Sequence, residues 1–220
     1  MMIKQKQLAI KHTFNFAWTK FKEKALFFIG LAVLSCVLAT LGENQDLSNY
    51  ATNDDFRLRD FTLLSVLSII VNTYLSLGIW KISINHIRGE KIQLSDLLTI
   101  SFDQFIQYTI AIIISFIVVI LGFILLIVPG IHIACRLMLV PGYIVDKNKS
   151  FDVALKSSFN ATKGHTIKLF LWILVALFTL VVGFIALIVG IFAAIPVISL
   201  GLAYIYVQLS DENYESVIAE

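Results

Sequence analysis

The sequence predicts an all-α integral membrane protein, a six-helix bundle with both termini on the cytoplasmic side. Three observations carry that reading. The 220 residues are 58% hydrophobic and only 15% charged, with a mean hydropathy of +0.86, whereas an average soluble domain is about a quarter charged. Six stretches approach or meet the roughly 20 apolar residues that a helix needs to cross about 30 Å of hydrocarbon: Ala25 to Leu41, Phe61 to Trp80, Phe105 to Val128, Ile131 to Val145, Ile167 to Val189 and Gly190 to Leu209. Finally, two apolar stretches nearly repeat each other. Gly122 to Ile131 reads GFILLIVPGI, and 61 residues later Gly183 to Ile191 reads GFIALIVGI.

Ahead of the first span, Phe14, Trp18, Phe21 and Ala25 recur at intervals of four, three and four, one face of a helix. With lysines on the other side, this segment reads as an interfacial helix whose anchors Phe14, Trp18 and Phe21 dip into the headgroup boundary. The first span contains Cys36. Gly42 to Asp60 follows it as an outer loop, with only Arg57 and Arg59 against five acids. Lys81, Arg88 and Lys91 follow the second span, which marks that end as cytoplasmic by the positive-inside rule. Before the third span, Ser95-Asp96 offers an N-cap to a short helix bearing Leu97, Leu98 and Phe102.

Between the third and fourth spans two registers are open. The chain turns either at Pro129-Gly130, or near Gly122 with Pro129 left as a kink in the fourth helix. The fourth span is short and contains both Arg136 and Pro141, so it is the one expected to be broken or tilted. Asp146 at its end, followed by Lys147 and Lys149, reads as a solvated carboxylate at the inner boundary. A third interfacial helix is expected from Ser150 as its cap through Phe151, Ala154, Leu155 and Phe159, stopping at Lys163-Gly164. Gly183, Gly190 and Pro196 mark turns or kinks in the last hairpin. Trp18, Trp80 and Trp172 fall mostly where interface anchors belong. Asn72, Thr73, Tyr74 and Tyr108 are candidates for bonds between helices.

Ser101-Phe102-Asp103 to Thr109-Ile110 also matches Ser158-Phe159-Asn160 to Thr166-Ile167 at an offset of 57. The chain thus reads as one membrane domain, 1-220, built from parallel repeats 1-80, 81-146 and 147-210 with an acidic tail 211-220. Each repeat is an interfacial helix followed by a transmembrane hairpin.

Arg136 is the residue with the clearest functional signal, since a cation in mid-membrane costs roughly 2.5–3.5 kcal/mol even on lenient insertion scales. One reading makes it the contact for an anionic lipid headgroup, with His132 a helical turn before it. The other has its guanidinium snorkel or bond to carbonyls freed at Pro129 or Pro141. Cys36 and Cys135 lack CxxC spacing and read as buried structural thiols. No GxSxG, HExxH, GxGxxG or Walker A motif occurs, so neither catalysis, a metal nor a cofactor is expected. The basic residues hug span boundaries and form no nucleic-acid-binding stripe.

The run Leu125-Leu126-Ile127-Val128-Pro129-Gly130-Ile131, then Arg136, Asp146, Ala154-Leu155, Ser158, Lys163-Gly164, Pro196 and Tyr206-Val207-Gln208-Leu209 resembles a bacterial family of multi-spanning membrane proteins. It includes the YciC-like inner-membrane proteins and the membrane domain of membrane-anchored glycerophosphoryl diester phosphodiesterases. The resemblance covers most of the chain from about Leu77 onward. It implies a six-span protein of the bacterial cytoplasmic membrane; the phosphodiesterase catalytic domain has no counterpart here, so hydrolase activity does not carry over. The function expected is a non-enzymatic module that interacts with lipid or organises other membrane proteins. The alternative is a small transporter or lipid-moving protein that uses the Pro/Gly-broken hairpins and Arg136.

Overall fold

A computed structural model describes residues 8–40, 63–186 and 188–210, and all regular structure among them is helical. Nine α-helices follow in order: α1 (Ile10–Glu23), α2 (Ala25–Thr40), α3 (Leu63–Ile87), α4 (Phe102–Leu125), α5 (Ile127–Leu137), α6 (Val140–Lys147), α7 (Phe151–Ala161), α8 (Thr166–Ile185) and α9 (Ile188–Ser210). Among the described residues five spans are long and apolar enough to cross a membrane, and a sixth results if α1 and α2, bent by 93° at Lys24, count as one. The expected outer loop and the acidic tail lie outside the described residues.

Helix α1 packs on α9 through a stripe one turn apart, Thr13, Ala17 and Phe21. The small side chains at the first two positions let the helices come close, so the Phe16 and Tyr204 rings lie 4.5 Å apart and Tyr204 Oη is 2.9 Å from His12 Nδ1. This changes the reading of the aromatic face. Phe21 is 4% exposed and turned into the protein, Phe14 is half-buried against the core, and Trp18 alone stays outward.

Helix α4 starts on a capping box: Ser101 Oγ accepts from the Gln104 amide, and the Gln104 side chain accepts from the Ser101 amide. The segment ahead of it is a 3-10 helix, Leu94–Thr99, capped by Gln93 with Asp96 bonding back, so Ser95-Asp96 is not the cap. The α4–α5 hairpin reverses at Leu126, between the two registers that the sequence left open. Pro129 is the third residue of α5, in the first turn, where a helix needs no amide donor. The glycines serve close approach: a Cβ on Gly122 would lie 3.0 Å from the Gly130 Cα, and one on Gly130 would meet the Phe123 ring at 2.6 Å.

The α8–α9 hairpin closes in the same manner, Gly183 against the backbone of Gly190. Pro196 sits inside α9 without ending it. The polar match at offset 57, by contrast, joins unlike positions. Ser101 caps α4, whereas Ser158 is buried within α7.

The fourth span is broken as expected. Helix α5 ends at Leu137 and α6 begins at Val140 with Pro141 in its first turn, the two together forming the 21-residue candidate span Ile127–Lys147. Asn148 closes α6 in the left-handed conformation. Ser150 precedes α7 but makes no side-chain cap; its hydroxyl donates to Asp152 instead (2.7 Å), holding that carboxyl below the usual carboxylate range. The α7 N-terminus is tied to α4 by the Phe151 amide donating to Gln107 (2.9 Å). Gly164, at φ +82°, makes the turn into α8.

Helix α9 is the central element. Of its candidate span, 56% is buried, against 17% for those of α4 and α8. Val197, Leu200, Ala203, Ile205, Tyr206 and Val207 are fully enclosed. Trp172 belongs to this core and is no interface anchor: its ring lies over Gly201, where any side chain would collide with it. Cys135 is buried as expected, but Cys36 is exposed. Tyr74 donates to Ile100 O and Tyr108 pairs with Ser76, both between elements, whereas Asn72 and Thr73 bond back to their own helix.

Candidate functional site

Two charged clusters stand out. The first lies where the C-terminal ends of α3, α6 and α9 meet. Arg88, just past α3, places Nη1 and Nη2 on the two oxygens of Asp146 at 2.5 and 2.8 Å, and the Tyr206 hydroxyl donates to the same carboxylate at 2.9 Å. The arginine and aspartate side chains are 21% and 13% exposed. Asp146 is therefore a shared acceptor for two other helix ends, and the reading of it as a solvated boundary carboxylate is corrected.

Gly142 makes the junction possible, because a Cβ there would stand 2.5 Å from the Tyr206 ring. Trp80 and Tyr143 meet that ring edge-on at 6.5 and 5.1 Å. One residue on, Lys147 Nζ donates to the carbonyl of Ser210 at the end of α9 (2.8 Å), where a cation suits the negative end of the helix dipole. Gln104 of α4 donates to the Ile144 and Val145 carbonyls (3.3 and 3.2 Å), which α6 itself leaves open. At the same end, His86 Nε2 lies 2.9 Å from the Lys20 carbonyl and joins α3 to α1.

The second cluster surrounds Arg136, the tenth residue of the span Ile127–Lys147. Its guanidinium sits 3.4 Å from the Phe159 ring centroid, and Nη2 donates to the Phe159 carbonyl at 2.5 Å. Its own carbonyl accepts from Ser158 (2.7 Å), and Thr162 beside it donates back to Ser158 O (2.7 Å); both are fully buried. The bonding is reciprocal: Arg136 lies in the last turn of α5 and donates to a carbonyl in the last turn of α7, while Ser158 of α7 donates to the Arg136 carbonyl. The cation thus sits at the negative dipole end of α7.

The carbonyl that receives the guanidinium belongs to α7, and not to the breaks at Pro129 or Pro141. His132 is exposed one turn before Arg136, on the same side of α5. The Arg136 Nε is buried with no acceptor. Gly122, Gly130, Gly183 and Gly190 lie at the hairpin closures, away from both clusters, and Pro141 lies at the break between α5 and α6.

Among the described residues no group of three or more His, Cys, Asp or Glu is placed to hold a metal ion. Comparison with protein-family models, with curated proteins and with solved structures finds no match to this chain.

Proposed function

We propose that this chain is a non-enzymatic integral membrane module of the bacterial cytoplasmic membrane, with both termini inside, that binds lipid or organises partner membrane proteins. The observation that carries the reading is a division of surfaces. Ionised and aromatic groups at the meeting point of α3, α6 and α9 are engaged with one another, while α4 and α8 turn broad apolar faces outward, among them Ile113, Phe116, Ile117, Leu121, Leu177 and Phe178. A carboxylate whose two oxygens are taken up by an arginine and a tyrosine suits a joint between helices better than acid–base work.

The resemblance to the YciC-like family points the same way. So does the shared glycine closure of the last two hairpins, which favours a repeated hairpin plan. The lipid-moving alternative draws on the broken fourth span and the cation beside it.

Proteoliposomes separate the two. Purified protein in liposomes carrying a fluorescent phospholipid should show no more transbilayer exchange than protein-free liposomes, while native mass spectrometry shows selected lipid retained. Exchange that rises with protein content would favour lipid movement, and absence of any selected lipid would remove the lipid-binding half of the proposal.

A further inference from the structure

The Arg136 guanidinium is incompletely satisfied by the protein. It offers five N–H donors, and its hydrogen bonding to described residues consists of one contact, Nη2 to Phe159 O, at the surface. The face of the group lies on the Phe159 ring, itself 39% exposed, and Nε is buried with no acceptor. In water the open donors would be hydrated. Within a membrane-spanning segment, and beside the interfacial helix α7, the acceptors at hand are headgroup oxygens and water, and an arginine there draws them toward it.

His132 is exposed on the same side of α5, and a further cation, Lys163, is exposed four residues after Phe159, on which the guanidinium lies. No carboxylate pairs with Arg136 among the described residues.

We infer that the open edge of Arg136 takes a phosphate oxygen of a membrane glycerophospholipid, with the Phe159 ring beneath the guanidinium and His132 beside it. The planar fork matches phosphate oxygens in pairs, which a lysine at this position would not reproduce. The inference deepens the lipid-binding reading above and rests on it.

The test uses the full chain in nanodiscs of mixed phosphatidylglycerol and phosphatidylethanolamine. Arginine is labelled with nitrogen-15, and Arg57 and Arg59 are replaced by lysine so that Arg88 and Arg136 alone report. Dipolar coupling between arginine nitrogens and lipid phosphorus should appear and should vanish in Arg136→Gln. Native mass spectrometry should show retained phospholipid falling about tenfold in the same variant, the size of one lost charge-assisted bond.

Because Arg136→Gln also removes the bond to Phe159 and can loosen α7, the coupling in the arginine form is the deciding measurement, and its absence overturns the inference. Lipid selected by the unsubstituted protein but retained equally by Arg136→Gln also overturns it, and leaves the lipid-binding reading in place. If the unsubstituted protein selects no lipid, both fall. Inorganic phosphate added to lipid-stripped protein distinguishes the source: a phosphorus coupling from the free anion would make this a site for soluble phosphate and overturn the lipid assignment.

Discussion

Replacing Asp146 by alanine separates a joint between helices from a solvated carboxylate. An exposed ion pair is worth about 0–1 kcal/mol, but this one has side chains 21% and 13% exposed and a tyrosine that is fully enclosed. It sits nearer the limit in which removing one partner of a buried pair costs about 3–5 kcal/mol. Arg88 is the more open partner and can turn toward water, which lowers that figure. Tyr206 is held in the core and loses a charged acceptor, which costs about 1.5 kcal/mol on its own. The two effects overlap, and the expected loss is about 3 kcal/mol, roughly a hundredfold in the folding equilibrium.

The assay is equilibrium unfolding in mixed micelles titrated with a denaturing detergent, run on Asp146→Ala, Arg88→Met, the double variant and Tyr206→Phe. Arg88→Met and Asp146→Ala should couple by at least about 1 kcal/mol, since residues of one network are not additive. Tyr206→Phe should lose about 1.5 kcal/mol with packing intact. An Asp146→Ala protein within about 0.5 kcal/mol of the parent, the usual range for surface changes, would refute the reasoning.

Three other outcomes are expected. Gly201→Ala forces a methyl into the enclosed Trp172 ring and should cost about 1–3 kcal/mol, while Gly30→Ala, with open space around it, should gain about 0.5–1 kcal/mol from helix propensity; equal effects in thermal unfolding would contradict the packing described. Ser150→Ala should raise the Asp152 carboxyl toward its ordinary range by removing the hydroxyl that donates to it, which carbon-13 NMR titration of the side chain reads directly. With Cys36 and Cys135 replaced by alanine, a cysteine at Leu126 should label from one side of the membrane and one at Lys156 from the other; labelling from the same side would overturn the orientation.

Much of this architecture is legible from local pattern alone. Apolar length gives the spans, and Pro141 beside Arg136 gives the break in the fourth. The hairpin turn escapes because Gly122 and Gly130 look like turn residues and act as contact residues. Apolar runs carry no mark of where they reverse. On α1 two stripes share Phe21: the aromatic one through Phe14 and Trp18, and the small one through Thr13 and Ala17. Aromatic side chains draw the eye, yet the small ones decide which face another helix can approach.

The joint at Asp146 was hidden for a different reason. Arg88 and Tyr206 are 58 and 60 residues away, and no spacing rule connects them. One clue was present: a positive-inside map puts the ends of the second, fourth and sixth spans on one side, where an arginine, an aspartate and a tyrosine can meet. The Ser101-x-x-Gln104 capping box, by contrast, is local and legible from spacing alone.

The reciprocal bonds at Arg136 also bear on how the chain is made. Synthesis delivers α5 before α7, so Arg136 enters the membrane while Ser158, Phe159 and Thr162 are still unmade. During that interval the cation lacks its carbonyl partner, at a cost of roughly 2.5–3.5 kcal/mol. The strongly apolar α4, closed tightly on α5 through Gly122 and Gly130, is the element available to carry the span in. Side chains at those two glycines should therefore damage membrane integration of the nascent chain before they damage the finished fold.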